Sequence, residues 1–90
     1  MIKVKQLDNR FEIFYNDEHA GLMEYQWKNP DTFEITHTEV DAKFAGKNLG
    51  KELVKSAVEF AKKEEKKIIP LCPFAKKVMD RTPEFQDVLA

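Results

Sequence analysis

Cysteine occurs once in the 90 residues, at Cys72. No intrachain disulfide can form, which excludes the stapled secreted scaffolds and makes a cytoplasmic protein the simplest expectation. No charge of one sign dominates: the net charge is -1 although 34% of residues are charged. A field over the whole chain that would hold nucleic acid or an anionic membrane is thereby excluded. No apolar run approaches the length of a membrane span, and the N-terminus shows no apolar core flanked by a cleavage site. Glycine is scarce, three in all, and two of them, Gly46 and Gly50, share one short loop.

What is present suffices for a single domain over residues 1–90, with 42% hydrophobic residues to fill one modest core. The first half reads as an antiparallel meander. Strands are predicted over Ile2 to Leu7, Arg10 to Asn16, Ala20 to Lys28 and Thr32 to Val40, with reversals at Asp8-Asn9, Asn16 to Glu18 and Asn29-Pro30-Asp31. Phe11, Ile13 and Tyr15 alternate on one face of the second strand, and Met23, Tyr25 and Trp27 on one face of the third. His19 is expected in a turn, solvated. The period then changes: Leu49, Leu53, Ala57 and Phe60 recur at helical spacing, widened by Val54, Val58 and Ala61, within a helix predicted from about Gly46 to Lys63. Lys67 to Leu71 reads as a fifth strand, parallel to the fourth because a helix connects them. Pro73 to Asp80 has the proline-first signature of a short helix, and Thr82 to Phe85 opens a last helical turn packed by Phe85, Val88 and Leu89.

The loop between the fourth strand and the long helix is the candidate binding element. The first turn of a helix carries unpaired N–H groups at the positive end of its dipole, and Gly46 and Gly50 let a ligand approach the backbone, which suits a pyrophosphate. The plainer reading is a connection whose glycines only ease a tight turn. A nucleoside-triphosphate loop is excluded, because the spacing from Gly46 to Gly50 is too short and Glu52 follows Lys51 where Ser or Thr would hold magnesium. A dinucleotide fingerprint would need three glycines after a first strand. Between Lys43 and Lys67 eight lysines stand against four glutamates, a local excess that suits a phosphorylated ligand, although Lys62 to Lys67 reads as a solvated face.

Three segments in order, His37-Thr-Glu-Val40, Gly46-Lys-Asn-Leu-Gly-Lys-Glu-Leu53, and Pro70-Leu-Cys-Pro-Phe74 followed by Thr82-Pro-Glu-Phe85, make the chain resemble the small single-domain, YjdJ-type branch of the GNAT superfamily of N-acetyltransferases. The resemblance implies an α/β (α+β) fold in which a meander is followed by a β-α-β crossover with strands four and five splayed apart. It also implies acetyl-coenzyme A as cosubstrate, with no metal. The family places the pyrophosphate on a loop of pattern Gln/Arg-x-x-Gly-x-Gly/Ala. Here Ala45 stands for the Gln or Arg, Asn48 for the first Gly, and Gly50 fills the last position. Asn is the residue after glycine that best tolerates positive φ, so Asn48 can keep the turn. The resemblance makes Val40, Phe44, Ala45, Gly46, Lys47, Asn48, Leu49, Gly50 and Lys51 the coenzyme-binding residues, with the pantetheine arm pairing on strand four near Glu39 to Asp41.

The thioester is then expected beside Cys72. As N-cap of the following helix its thiol pKa should fall, so that it can protonate the departing coenzyme thiolate or take the acetyl group itself; the alternative is a buried cysteine acting as a small hydrophobe. His37 and Glu39 alternate onto one face of strand four and are candidates to take the proton of an acceptor amine, with Glu39 alternatively orienting His37 or holding a cationic acceptor; a strand-end histidine and a surface glutamate is the plain alternative. Many superfamily members use a tyrosine acid after strand five, and no tyrosine follows Tyr25 here. The expected partners are the coenzyme and an amine acceptor, small molecule or protein, with the chain a monomer or weak dimer. The chain is too short for the helices and strands from which larger members build an acceptor pocket. Two other readings are a coenzyme-A-binding sensor or adaptor without turnover, which the missing Gln/Arg and tyrosine would suit, and an interaction module that keeps only the fold.

Overall fold

A computed structural model describes all residues, 1–90. Strands β1 (Ile2–Gln6), β2 (Arg10–Tyr15), β3 (Glu18–Asn29) and β4 (Thr32–Val40) form the antiparallel meander. Helix α1 (Leu49–Glu64) crosses to β5 (Lys67–Pro70), which pairs parallel to β4, so the sheet order is β1-β2-β3-β4-β5. Helix α2 (Pro73–Arg81) and a 3₁₀ segment, Pro83–Val88, complete the chain. The GNAT-like α+β arrangement expected from the sequence is the one observed.

The turns follow from their residues. Asn16 and Asp17 have φ of 49° and 69° between β2 and β3, the pair of positive values that a two-residue hairpin with matching twist requires. At the next reversal the Asp31 N–H donates to Asn29 Oδ1 at 2.8 Å, a side chain standing in for a backbone turn.

The core lies between one face of the sheet and α1. Leu49, Leu53, Val54, Ala57, Val58 and Ala61 are buried against Phe11, Ile13, Met23, Phe33 and Ile35. Each fully buried Leu or Val contributes about 1.5–3 kcal/mol relative to exposure, so this stripe rather than helix propensity holds α1 in place. Tyr25 is buried among Phe11 and Phe33, with ring centroids 5.2 Å away in each case, and its hydroxyl donates to Leu7 O at 3.0 Å.

Several boundaries differ from the sequence reading. Helix α1 begins at Leu49, not Gly46, because Gly46 (φ 84°) and Asn48 (φ 60°) are left-handed and no helix passes through such residues. A 3₁₀ turn, Ala42–Phe44, precedes that loop; its capping residue Asp41 accepts from Lys43 N–H at 3.0 Å. Strand β3 begins at Glu18, so His19 lies in a strand instead of a turn, exposed, with Nε2 3.3 Å from Glu12 Oε1.

One irregularity decides which side chains face the helices. In the β3–β4 ladder Glu24 pairs with His37 but Tyr25 pairs with Ile35, leaving Thr36 as an extra residue. Such a bulge reverses the alternation beyond it. Phe33 and Ile35 point toward α1 before it, Thr38 and Val40 after it, and His37 and Glu39 turn to the opposite face.

Candidate active site

The β4–β5 ladder ends early. Only Thr32 to Ile35 pair with Lys67 to Pro70; the N–H groups of Leu71 and Cys72 then both donate to Ile35 O at 3.0 Å, and the chain turns away into α2. Residues 36–40 of β4 are left without a partner on that side. An exposed strand edge with open hydrogen-bonding groups is a place for an extended, amide-containing ligand.

That edge opens into a groove of about 480 Å³ whose walls are Thr38 and Val40 of β4, the loop from Phe44 to Lys51, and Phe74 and Val78 of α2. Of the residues assigned to the coenzyme from sequence, Val40, Phe44, Ala45, Gly46, Asn48, Leu49, Gly50 and Lys51 line it. Lys47 does not; its Nζ sits 4.7 Å from the centre of the Tyr15 ring. Lys43, also in the basic stretch, is paired with Glu18.

The backbone at the head of the groove has the donors an anion needs. The N–H groups of Asn48, Leu49, Gly50 and Lys51 make no backbone or side-chain hydrogen bond, and Asn48 gives no side-chain cap to the helix. Four open donors stand at the start of a 16-residue helix, and Lys51 in its first turn also lines the groove. The remaining walls are mostly apolar. An anionic head with an apolar, amide-bearing arm fits these residues.

Cys72 lies beneath the groove and is not part of its lining. It is 7% exposed and caps α2 with φ -68° and ψ 127°, Pro73 occupying the first helical position as expected. Its Sγ lies 3.6 Å from Thr38 Oγ1. Burial raises the thiol pKa, but hydrogen bonding from the backbone of Ala75, the Thr38 hydroxyl and the backbones of Phe74 and Thr38 outweighs it and brings the pKa below the ordinary thiol value. The sulfur makes no cap hydrogen bond of full geometry, so these N–H groups act on it as nearby dipoles.

His37 and Glu39 stand together on the other face of the sheet. Nε2 and Oε2 are 3.8 Å apart, and the side chains are 54% and 66% exposed. The structure thus brings Thr38, Cys72 and the loop together on the helix side of β4, and holds His37 with Glu39 on the open side. Thr38, Phe74 and Val78 are groove residues that sequence reasoning missed. Only Phe74 had a signal, its place directly after Cys72-Pro73.

Comparison with known proteins settles the family. The pattern described as GCN5-related N-acetyl-transferase matches residues 10–88. The chain belongs to that family. A GCN5-like protein from Staphylococcus aureus, solved in solution by NMR, is 31% identical, with a TM-score of 0.79 over 98% of this chain and 87% of that one. Protein NATD1 of Danio rerio is 28% identical over 78 residues, 86% of this chain and 71% of the relative. A GNAT acetyltransferase from Elizabethkingia anophelis, solved with acetyl-CoA bound, shares the fold at 18% identity, with a TM-score of 0.62 over 78% of this chain and 63% of that one. Membership makes this GCN5-related chain an N-acetyltransferase.

Proposed function

We propose that the protein transfers an acetyl group from acetyl-coenzyme A to an amine, with the groove holding the coenzyme. One observation carries this reading: the four open N–H groups of residues 48–51 and the unpartnered edge of β4 border the same groove. The loop from Gly46 to Lys51 would take the pyrophosphate, Lys51 adding charge. Val40, Phe44, Leu49, Phe74 and Val78 would cover the pantetheine arm, while the free backbone of β4 pairs with its amides. When bound, the coenzyme supplies the acetyl group as an activated thioester.

The acceptor approaches from the open face of β4, where His37 and Glu39 stand. His37 takes the proton of the attacking amine, directly or through water, and Glu39 orients the imidazole or holds a cationic acceptor. On the helix side, Cys72 is a thiol more acidic than usual, which suits it to protonate a departing thiolate. Its burial behind Thr38 favours this role over carrying the acetyl group, so direct attack is the preferred route and transfer through acetyl-Cys72 the second. The acceptor side has no enclosing helices, which suits a polypeptide amine, a lysine or an N-terminus, as well as a small one.

The test is release of free coenzyme A thiol from acetyl-coenzyme A over a panel of small amines and peptides. Turnover with at least one amine, reduced about 100-fold in His37→Ala, is the expected result, the usual range for loss of a general base. Tight coenzyme binding with no transfer to any amine would instead favour a sensor or adaptor. In the same samples, a hydroxylamine-labile acetyl adduct seen by intact mass and lost in Cys72→Ala would shift the route to the covalent one.

A further inference from the structure

Thr38 lines the groove and also stands within hydrogen-bonding reach of Cys72. Its inward direction is not an accident of strand alternation, because without the extra residue at Thr36 it would face solvent with the other side of β4. The backbone of Cys72 is already committed: its N–H donates to Ile35 O at 3.0 Å and its carbonyl accepts from Lys76 N–H at 3.0 Å. What is left to fix is the side-chain torsion that aims the sulfur. Thr38 Oγ1, 3.6 Å from Sγ, is the polar side-chain atom in place to do so. The groups that act on the sulfur, the Thr38 hydroxyl and the backbones of Ala75, Phe74 and Thr38, are neutral. On β4, His37 lies on the opposite face, and on α2 the nearest cation in sequence, Lys76, is paired with Asp80 at 2.9 Å.

We infer that Thr38 is a positioning residue for Cys72: its hydroxyl holds the sulfur beneath the groove and donates to it when the thiol ionises. The inference rests on the groove being the coenzyme site only for its consequence in acetyl transfer, since the Thr38–Cys72 contact exists in the chain itself. A neutral thiol can donate to Oγ1, and a thiolate can accept from the same hydroxyl, so one residue serves both protonation states. Because Thr38 also borders the groove, a ligand there competes for or reinforces that hydroxyl, linking groove occupancy to the state of the sulfur.

The experiment is the pH profile of Cys72 alkylation by iodoacetamide in the ligand-free wild type, Thr38→Val and Thr38→Ser, with circular dichroism confirming that each is folded. Valine keeps the shape of threonine and removes the hydroxyl; serine keeps the hydroxyl. In Thr38→Val the profile should move to higher pH, with alkylation below the midpoint slower by about tenfold, the size expected when a buried thiolate loses one hydrogen bond. Thr38→Ser should follow wild type. A Val profile that coincides with wild type, or a Ser profile shifted as far as Val, would overturn the assignment. Repeating wild type with coenzyme A separates the two readings: no protection by coenzyme A alongside a shifted Val profile removes the groove assignment and leaves Thr38 in its role.

Discussion

The ring of Phe74 rests on the bare backbone of Gly50: a Cβ built at Gly50 would stand 2.6 Å from Phe74 Cζ and 2.8 Å from Cε2. From sequence, the glycine reads as a concession to a ligand. In the structure it also admits an aromatic ring from α2, which lets the two helices close the groove between them.

Gly50→Ala is predicted to separate binding from stability. Alanine in the first turn of α1 gains about 1 kcal/mol of helix propensity over glycine, which offsets the cost of moving a ring that is 41% exposed and free to swing. Thermal stability should therefore stay within about 1 kcal/mol of wild type, while the displaced ring weakens acetyl-coenzyme A binding by about tenfold, or about 1.4 kcal/mol. Calorimetric titration measures the second quantity, and Gly50→Ala combined with Phe74→Ala should recover part of the loss. Unchanged affinity in the single variant would show that the ring does not shape the site.

Asn48 has φ 60° and ψ 28° and makes no side-chain cap. Its contribution is conformational, so Asn48→Gly should be tolerated, whereas Asn48→Ala should cost about 1 kcal/mol for a Cβ held in the left-handed region. Urea denaturation of the two variants decides it. An alanine variant as stable as the glycine one would contradict this account of the turn.

The lowered thiol pKa of Cys72 makes stability depend on pH in a definite direction. With the folded value below the unfolded one, the native state favours the thiolate; the extra stability is full above the unfolded pKa and is lost as pH falls through the folded pKa. The melting-temperature difference between wild type and Cys72→Ser should accordingly grow as pH is raised through the alkaline range toward the ordinary thiol pKa. A difference that shrinks over that range would reverse the sign of the shift.

Most of the fold was legible because its signals are periodic. The apolar stripe from Leu49 to Ala61 and the alternating aromatics of β2 and β3 announce helix and strands. Asn29-Pro30-Asp31 and Pro73 mark their boundaries. The bulge at Thr36 was not legible, since threonine at 32, 36 and 38 suits either face of a strand and the run from Thr32 to Val40 reads as unbroken. That one extra residue decides which of His37, Thr38 and Glu39 meet the groove. The helix start is hidden for a related reason: Gly46 and Asn48 occupy the left-handed region, and only the backbone angles reveal that α1 waits until Leu49. Phe74 and Val78 become site residues through the packing of α2 on α1, a tertiary contact of which the sequence shows only the place of Phe74 after Cys72-Pro73.

The central claim is that the groove between β4, the 46–51 loop and α2 holds acetyl-coenzyme A. An amide-resolved NMR titration with acetyl-coenzyme A tests it most directly. The account predicts shifts concentrated at residues 38–51 and at Cys72 to Val78, with the open N–H groups of residues 48–51 moving most and β1 silent. Saturating ligand that leaves those amides unmoved, or shifts them no more than the rest of the chain, would contradict it.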